Sequence, residues 1–360
     1  MRLAACACLG GAVALASRAY RLAALRLTPA ATNGSIRGMN SRARLNLTAA
    51  LVLLPILSGV AYGPSMRAPA VRAQNVGHTV SRPAIVGVAH IGLKTDDLAA
   101  ARIFYGQKLG FQEPFTVDKP TGGLMLTYFK VNDHQYIEVS PELKDPKKDR
   151  LSHIAFETSD AKQLRDYLAN RGVKVPPGDL RPELDGNLSF EVEDPDGHTV
   201  EFVQYLTGSL HNRNFGKFLA ETPISQRMIH VGVVVRDQTA ADRFYKDILG
   251  FRSIWHGGMT DTETDWVDMR VPEGTDWLEY MLNVRNPSVR TLGVMHHMAL
   301  GVPSVAAAYK TVIERGLKPE KPQIGRDGKW QLNLYDPNCT RVELMEPKPI
   351  RAPCCSPILE

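Results

Sequence analysis

Eight side chains able to bind a metal recur at regular intervals along this 360-residue chain. A pattern of His, apolar, small, apolar appears as His90-Ile91-Gly92-Leu93, His153-Ile154-Ala155-Phe156, His230-Val231-Gly232-Val233 and His297-Met298-Ala299-Leu300. A turn followed by a Glu-bearing strand also recurs, as Ile137-Glu138-Val139, Val200-Glu201-Phe202, Leu278-Glu279-Tyr280 and Val342-Glu343-Leu344. The intervals from His to Glu are 48, 48, 49 and 46 residues. A single such His or Glu is ordinarily a hydrogen-bonded strand residue or part of a solvated face. Four copies of both in one register point instead to metal ligation. Imidazole with carboxylate suits a divalent ion such as Zn, Ni, Co, Mn or Fe(II) and does not choose among them. An open-sided ion of this kind polarises a carbonyl or stabilises an enediolate, and a Glu that leaves it (Glu138, Glu201, Glu279 or Glu343) can act as a catalytic base.

The elements that must carry these residues follow from periodicity. Alternation places each Glu opposite its apolar neighbours, so the apolar face packs on helices and the Glu face looks into a cavity or solvent. Each His shares a face with the small residue two places on, Gly92, Ala155, Gly232 or Ala299, which leaves space for an ion or ligand. A helical pattern follows each His strand, capped by Asp96 or Asp97, Ser159, Asp237 and Ser304, with room for two more strands before the Glu strand. Each unit therefore reads β-α-β-β-β. The first and third contain Phe104-Tyr105 with Leu109-Gly110-Phe111 and Phe244-Tyr245 with Leu249-Gly250-Phe251, whereas the second and fourth end their helices in Arg171-Gly172-Val173 and Arg315-Gly316-Leu317. This alternation implies duplication of a two-unit domain. One His and one Glu per unit supply two ligands, so two units must face each other to complete a set.

These motifs resemble the glyoxalase, bleomycin-resistance and extradiol-dioxygenase (vicinal oxygen chelate, VOC) superfamily over residues 84 to 347. The most specific pieces are Phe-Tyr-x-x-x-Leu-Gly-Phe, Asp-Pro-Asp-Gly-His-Thr-Val-Glu-Phe and the order His, Glu, His, Glu in each half. The resemblance implies an α+β fold of four βαβββ modules paired into two domains with cupped mixed sheets. The first domain is expected over 84–206 (modules 84–142 and 150–206), a linker over 207–226, the second over 227–347 (modules 227–285 and 292–347) and a Pro/Cys tail over 348–360. By analogy with bacterial glyoxalase I, the metal ligands are His90, Glu138, His153 and Glu201, then His230, Glu279, His297 and Glu343. The family's glutathione-gripping Arg and Asn positions fall on Lys94 and Glu142 in the first half and on Val234 and Asn283 in the second, so neither half keeps the pair. Lys94 and Asn283 remain substrate-binding candidates.

The leading expectation is a metal-dependent, glyoxalase-like lyase or isomerase acting on a small α-oxo or enediol-forming substrate. An Fe(II) extradiol dioxygenase using His230, His297 and Glu343 of the C-terminal domain is the alternative, and a non-catalytic small-molecule-binding resistance protein a third. His256 is a further acid-base or substrate-binding candidate at the second cavity. His296 is expected to pack or cap, His134 and His198 to be solvated, and Tyr136, Trp277 and Met281 to shape the pockets.

Composition narrows the partners. No Asp or Glu precedes Asp96, and nine arginines fall in residues 1–73; the 43 basic residues less these nine leave 34 against 38 acidic ones. The body is mildly acidic and offers no nucleic-acid surface. Arg42 and Arg44, an apolar stretch from Leu45 to Tyr62 and small residues ending at Val71-Arg72-Ala73 have the order of an export signal, with Met39 a second candidate start. An organellar transit peptide and an uncleaved anchor are the rival readings. The expected protein is exported, periplasmic or secreted, without stable membrane insertion once the leader is removed, and monomeric or homodimeric. Its partner is a small molecule, and no nucleotide or flavin signature occurs. Cys339, Cys354 and Cys355 make no disulfide framework.

Overall fold

Alternating runs of Val, Ile, Leu and Phe fold into fifteen strands among the residues that the computed structural model describes, 80–284 and 286–359. The expected leader lies outside these residues. No helix among them is long and apolar enough to cross a membrane.

The first half comprises β1 (Ile85–Lys94), α1 (Leu98–Ala101, continued by a π-helical segment Arg102–Lys108), β2 (Gln112–Asp118), β3 (Leu124–Lys130), β4 (Tyr136–Ser140), β5 (Leu151–Thr158), α2 (Ala161–Asn170), β6 (Leu188–Glu193) and β7 (Thr199–Gln204). A short helix, α3 (Leu210–Arg213), interrupts the connector. The second half comprises β8 (Met228–Val234), α4 (Gln238–Ala241, continued as π-helix over Asp242–Ile248), β9 (Arg252–Gly257), β10 (Trp266–Arg270), β11 (Trp277–Met281), α5 (Val289–Met295), β12 (His297–Gly301), α6 (Val305–Glu314), β13 (Gln323–Ile324), β14 (Trp330–Tyr335) and β15 (Arg341–Met345). Two curled mixed sheets result, in the orders β2-β3-β4-β1-β5-β7-β6 and β13-β14-β15-β12-β8-β11-β10-β9. This is the expected α+β class.

Three modules are complete and the second is not. Between α2 and β6 the chain carries Pro176, Pro177 and Pro182 and forms no strand. Proline lacks the N–H that a ladder needs, which accounts for the missing edge strand. Helix α2 is capped by Asp160, which accepts from the Gln163 N–H, and not by Ser159, whose hydroxyl oxygen accepts from the Ala84 N–H at 3.2 Å.

The faces opposite the glutamates form one apolar core shared by both halves, with Ile137, Val139, Val200 and Phe202 joined to Leu278, Tyr280, Val342 and Leu344. Buried polar contacts knit the halves crosswise. The Tyr105 hydroxyl donates to Asp336 at 2.9 Å, and the Tyr245 hydroxyl to Asp194 at 3.0 Å. The Phe-Tyr motif of an odd module thus grips the Asp-Pro turn of an even module in the other half.

The C-terminal tail is fixed in place. Ile350 and Cys354 donate backbone N–H groups to Gly328 and Arg326 beside the β13–β14 hairpin, and the Leu359 N–H reaches Ile254 on β9. The tail therefore bridges both edges of the second sheet, with Cys354 and Cys355 joined as a disulfide.

Candidate metal centre

The four expected ligands of each half come together within that half. In the first sheet, β4, β1, β5 and β7 are neighbours, and their register lines up Glu138, Gly92 and His153 in one row and His90, Ala155 and Glu201 in the next. The second sheet repeats this with Glu279, Gly232 and His297, then His230, Ala299 and Glu343. The small residues make room for the imidazole across the strand and not directly for the ion. A Cβ on Gly92 would stand 2.3 Å from the His153 ring, and one on Gly232 2.1 Å from that of His297.

In the first cup, as the curled sheet face is called here, the two Nε2 atoms of His90 and His153 are 2.9 Å apart. Glu201 lies 3.2 and 3.3 Å from them and Glu138 3.7 Å from each. Ligand atoms around a tetrahedral ion with bonds of about 2.1 Å stand about 3.4 Å apart, so this set matches a first-row divalent ion. The charges agree. Among the described residues the ion-pair contacts of Glu138 and Glu201 go to these histidines alone, and two carboxylates so far withdrawn from water would be costly without a cation. Burial alone would lower His90, but Glu201 and then Glu138 hold it above its ordinary pKa. Burial would raise Glu201, yet His90 and His153 draw it down to about 2. Among the described residues the cup needs positive charge from a ligand.

The second cup is similar in outline and different in charge. Its Nε2 atoms are 3.1 Å apart, with Glu279 and Glu343 between 3.2 and 3.9 Å from them. Arg341, two residues before Glu343 on the same face, brings a guanidinium nitrogen to 2.7 Å from His297 Nε2 and to 3.9 Å from Glu279. His297 Nδ1 lies 2.8 Å from the Met295 carbonyl, so Nε2 is the acceptor for Arg341. Lys329 stands over Trp277, 5.0 Å from its ring centroid. Burial, then Arg341, holds His297 well below its ordinary pKa, and burial, opposed by Arg341, leaves Glu343 raised to about 7. This tetrad can ligate an ion, but Arg341 already occupies one lone pair and supplies part of the charge.

A cavity of about 750 Å³ lies over the first tetrad. Tyr128, Leu126 and Met125 wall one side, and the Pro-rich segment that replaced the missing strand walls the other. Three lining residues escaped the sequence reading. Glu191 faces Glu201 across the β6–β7 register and lies within ligand reach of His153 and Glu201; its alternation with Phe190 and Val192 was the available signal. His211 comes from the one-turn helix α3 and Asp185 from a loop, neither with a periodic signal. Arg341 was legible from its spacing to Glu343.

The remaining candidates separate. Lys94, at the end of β1, is not among the residues lining the first cavity. Asn283 keeps a buried Oδ1 without a hydrogen-bond partner among the described residues. His256 does not reach the second cavity: alternation turns Trp255 inward and leaves His256 exposed on β9, its backbone bonded to Ser356. His198 is not free in solvent but half-buried against Asp194 at 2.9 Å, while His134 is exposed beside Glu157. His296 packs as expected, 2.7 Å from Asp149.

The family model described as Glyoxalase/Bleomycin resistance protein/Dioxygenase superfamily matches residues 87–202 and 227–344. The biphenyl-2,3-diol 1,2-dioxygenase of Paraburkholderia xenovorans (strain LB400) is 27% identical over 254 residues, covering 65% of this chain and 78% of that protein. An iron-dependent extradiol dioxygenase of Rhodococcus jostii (strain RHA1) is 34% identical over 114 residues, 29% of this chain and 36% of that one. Among solved structures, the 2,3-dioxygenase LapB of Pseudomonas sp. KL28 shares the fold with a TM-score of 0.58 at 16% identity, over 76% of this chain and 97% of that one. Homoprotocatechuate 2,3-dioxygenase of Arthrobacter globiformis does so with a TM-score of 0.55 at 20% identity, over 74% and 80%.

Proposed function

The chain belongs to the glyoxalase/bleomycin resistance protein/dioxygenase superfamily, and from that premise we propose that it is a divalent-metal enzyme of the extradiol type, cleaving the ring of a small catechol seated in its first cup. The observation that carries this is the set of buried His90, Glu138 and His153 with half-buried Glu201 on the floor of a cavity of about 750 Å³. That volume suits a one- or two-ring ligand. The relatives named as extradiol dioxygenases favour ring cleavage over the lyase or isomerase expected first. The first cup is favoured over the C-terminal one because, among the described residues, no Lys or Arg pairs with its carboxylates, whereas Arg341 stands beside those of the second.

A bound divalent ion would acidify a ligated hydroxyl, and as Fe(II) it would also bring the redox chemistry that dioxygen requires. The chain's own residues do the rest. His90, His153, Glu138 and Glu201 hold the ion; Tyr128, opposite Glu138 in the β3–β4 register, shields the floor from water. Glu191 faces Glu201 across the β6–β7 register at the cavity wall, where it can take a hydroxyl proton, and partial desolvation holds it above its ordinary pKa.

Oxygen uptake with biphenyl-2,3-diol and 3,4-dihydroxyphenylacetate tests the reading. Uptake is expected to vanish on chelation and return with Fe(II). An iron-replete protein that consumes no oxygen with either catechol refutes it. One observation keeps a second reading: each cup retains a fourth ligand, Glu138 or Glu279, beyond two His and one Glu. Metal-dependent turnover of an α-oxo substrate under argon would identify that lyase-like activity.

A further inference from the structure

Alternation on β6 sends Leu188, Phe190 and Val192 into the core and Ser189, Glu191 and Glu193 to the opposite face. β6 is an edge strand of the first sheet, so Glu191 stands exposed at the rim of the first cup, across the register from Glu201. An exposed glutamate on a strand is ordinarily no more than solvated. Here one ligand atom each of Glu191, Glu201 and His153 lie within 4.8 Å of one another, as do those of His90, Glu138 and His153. The cup therefore contains two overlapping ligand triads.

The triads differ in depth. The side chains of His90 and Glu138 are 5% and 7% exposed and that of Glu201 13%, whereas Glu191 lies on the open wall of the cavity. They also share His153, whose Nε2 lies 3.3 Å from Glu201 and 3.7 Å from Glu138 and has a single lone pair. The triads are thus successive positions for one ion and not two simultaneous sites. Asp179 and Glu183 line the same cavity, against Arg181 as its one Lys or Arg among the described residues, and their field concentrates cations at the rim. The second cup lacks the outer carboxylate, because the residue across the register from Glu343 is Asn333.

We propose that Glu191, Glu201 and His153 form an outer metal seat at the rim of the first cup, which takes a divalent ion from solvent and passes it down to His90 and Glu138. An ion entering from water must exchange its hydration shell for protein ligands, and Glu191 supplies the first of these at the rim. Glu191 is free again once His90 and Glu138 have taken over. The inference rests on the first tetrad as a metal centre and not on ring cleavage itself.

Glu191→Gln keeps the shape of the side chain and removes its charge. Stopped-flow loading of the metal-free full chain with Co(II), read by visible absorption, and release to excess chelator give the two rates. A seat on the path lowers the barrier in both directions, so both rates should fall about tenfold or more in the variant, with equilibrium affinity changed by less than about threefold. Glu183→Gln, which removes a charge from the same wall outside the seat, should leave release unchanged. In His90→Ala, Co(II) should remain bound through a single imidazole, and adding Glu191→Gln should weaken it at least about tenfold. Wild-type rates in Glu191→Gln, a fall in loading alone, equal slowing in Glu183→Gln, or binding by His90→Ala that ignores Glu191→Gln would overturn the proposal. The two readings fail separately. Coupled slowing in a protein that never consumes oxygen removes ring cleavage alone, whereas an oxygen-consuming enzyme whose loading ignores Glu191→Gln removes the seat alone.

Discussion

Gly92→Ala places a methyl group where the His153 imidazole lies. The added Cβ would stand 2.3, 2.5 and 2.7 Å from Cε1, Nδ1 and Nε2 of that ring, against about 3.5–4.0 Å for a relaxed contact. Relief requires the ring to move by about 1 Å, several times the roughly 0.2 Å tolerance of a metal–ligand bond. Retreat is hindered, because Gly92 and His153 are cross-strand partners on the two central strands. The first cup should thus lose one of its two nitrogens, which costs more than the 10- to 100-fold typical of disturbing a ligand's supporting contacts. Competition for Zn or Co against a chromophoric chelator should show first-cup affinity down by about 100-fold or more. Gly106→Ala, whose Cβ meets nothing nearer than 3.8 Å, is the matched control. Wild-type affinity in Gly92→Ala would refute the account of how this small residue serves the site.

His153→Ala should abolish oxygen uptake with biphenyl-2,3-diol while His297→Ala retains most of it, and the opposite result would move the chemistry to the second cup. Arg341→Thr, which copies Thr199 at the matching place before Glu201, should raise metal affinity in the second cup at least about tenfold by removing a cation some 4 Å from its carboxylates. Metal counts per chain by mass spectrometry measure it; an unchanged count at limiting metal would show that the guanidinium is no competitor. Tyr245→Phe removes one donor from the buried Asp194 carboxylate, which keeps His198 and two backbone N–H groups, and should cost about 1–3 kcal/mol in chemical unfolding. Burial would push Asp194 up, but His198 holds it below the ordinary aspartate pKa of about 4, so its contribution is present above that value and fades as pH falls through the lower folded value. The deficit of Tyr245→Phe should therefore be smaller in acid. A deficit independent of pH would separate the tyrosine from the carboxylate.

The fold and all eight candidate ligands were legible because they follow from local rules. Alternation fixes which face a strand residue takes, and a fourfold repeat multiplies a weak signal. His90 with Gly92 and Arg341 with Glu343 share a face for that reason alone, so even the overlooked Arg341 was within reach. The missing edge strand was signalled by its prolines. By contrast, His211 sits on the one-turn helix α3 and Asp185 in a loop, and Asn187 and His211, 24 residues apart, meet only through packing. The same holds for the inequality of the cups. Spacing makes the two His-Glu-His-Glu sets look equivalent, and only the folded chain puts a guanidinium and a C-terminal strap on one while leaving a cavity over the other. The sequence by itself determined the candidate ligand types and their faces, since these depend on backbone period. How each cup is walled and charged was decided by tertiary structure, because those properties belong to side chains that meet across distant segments.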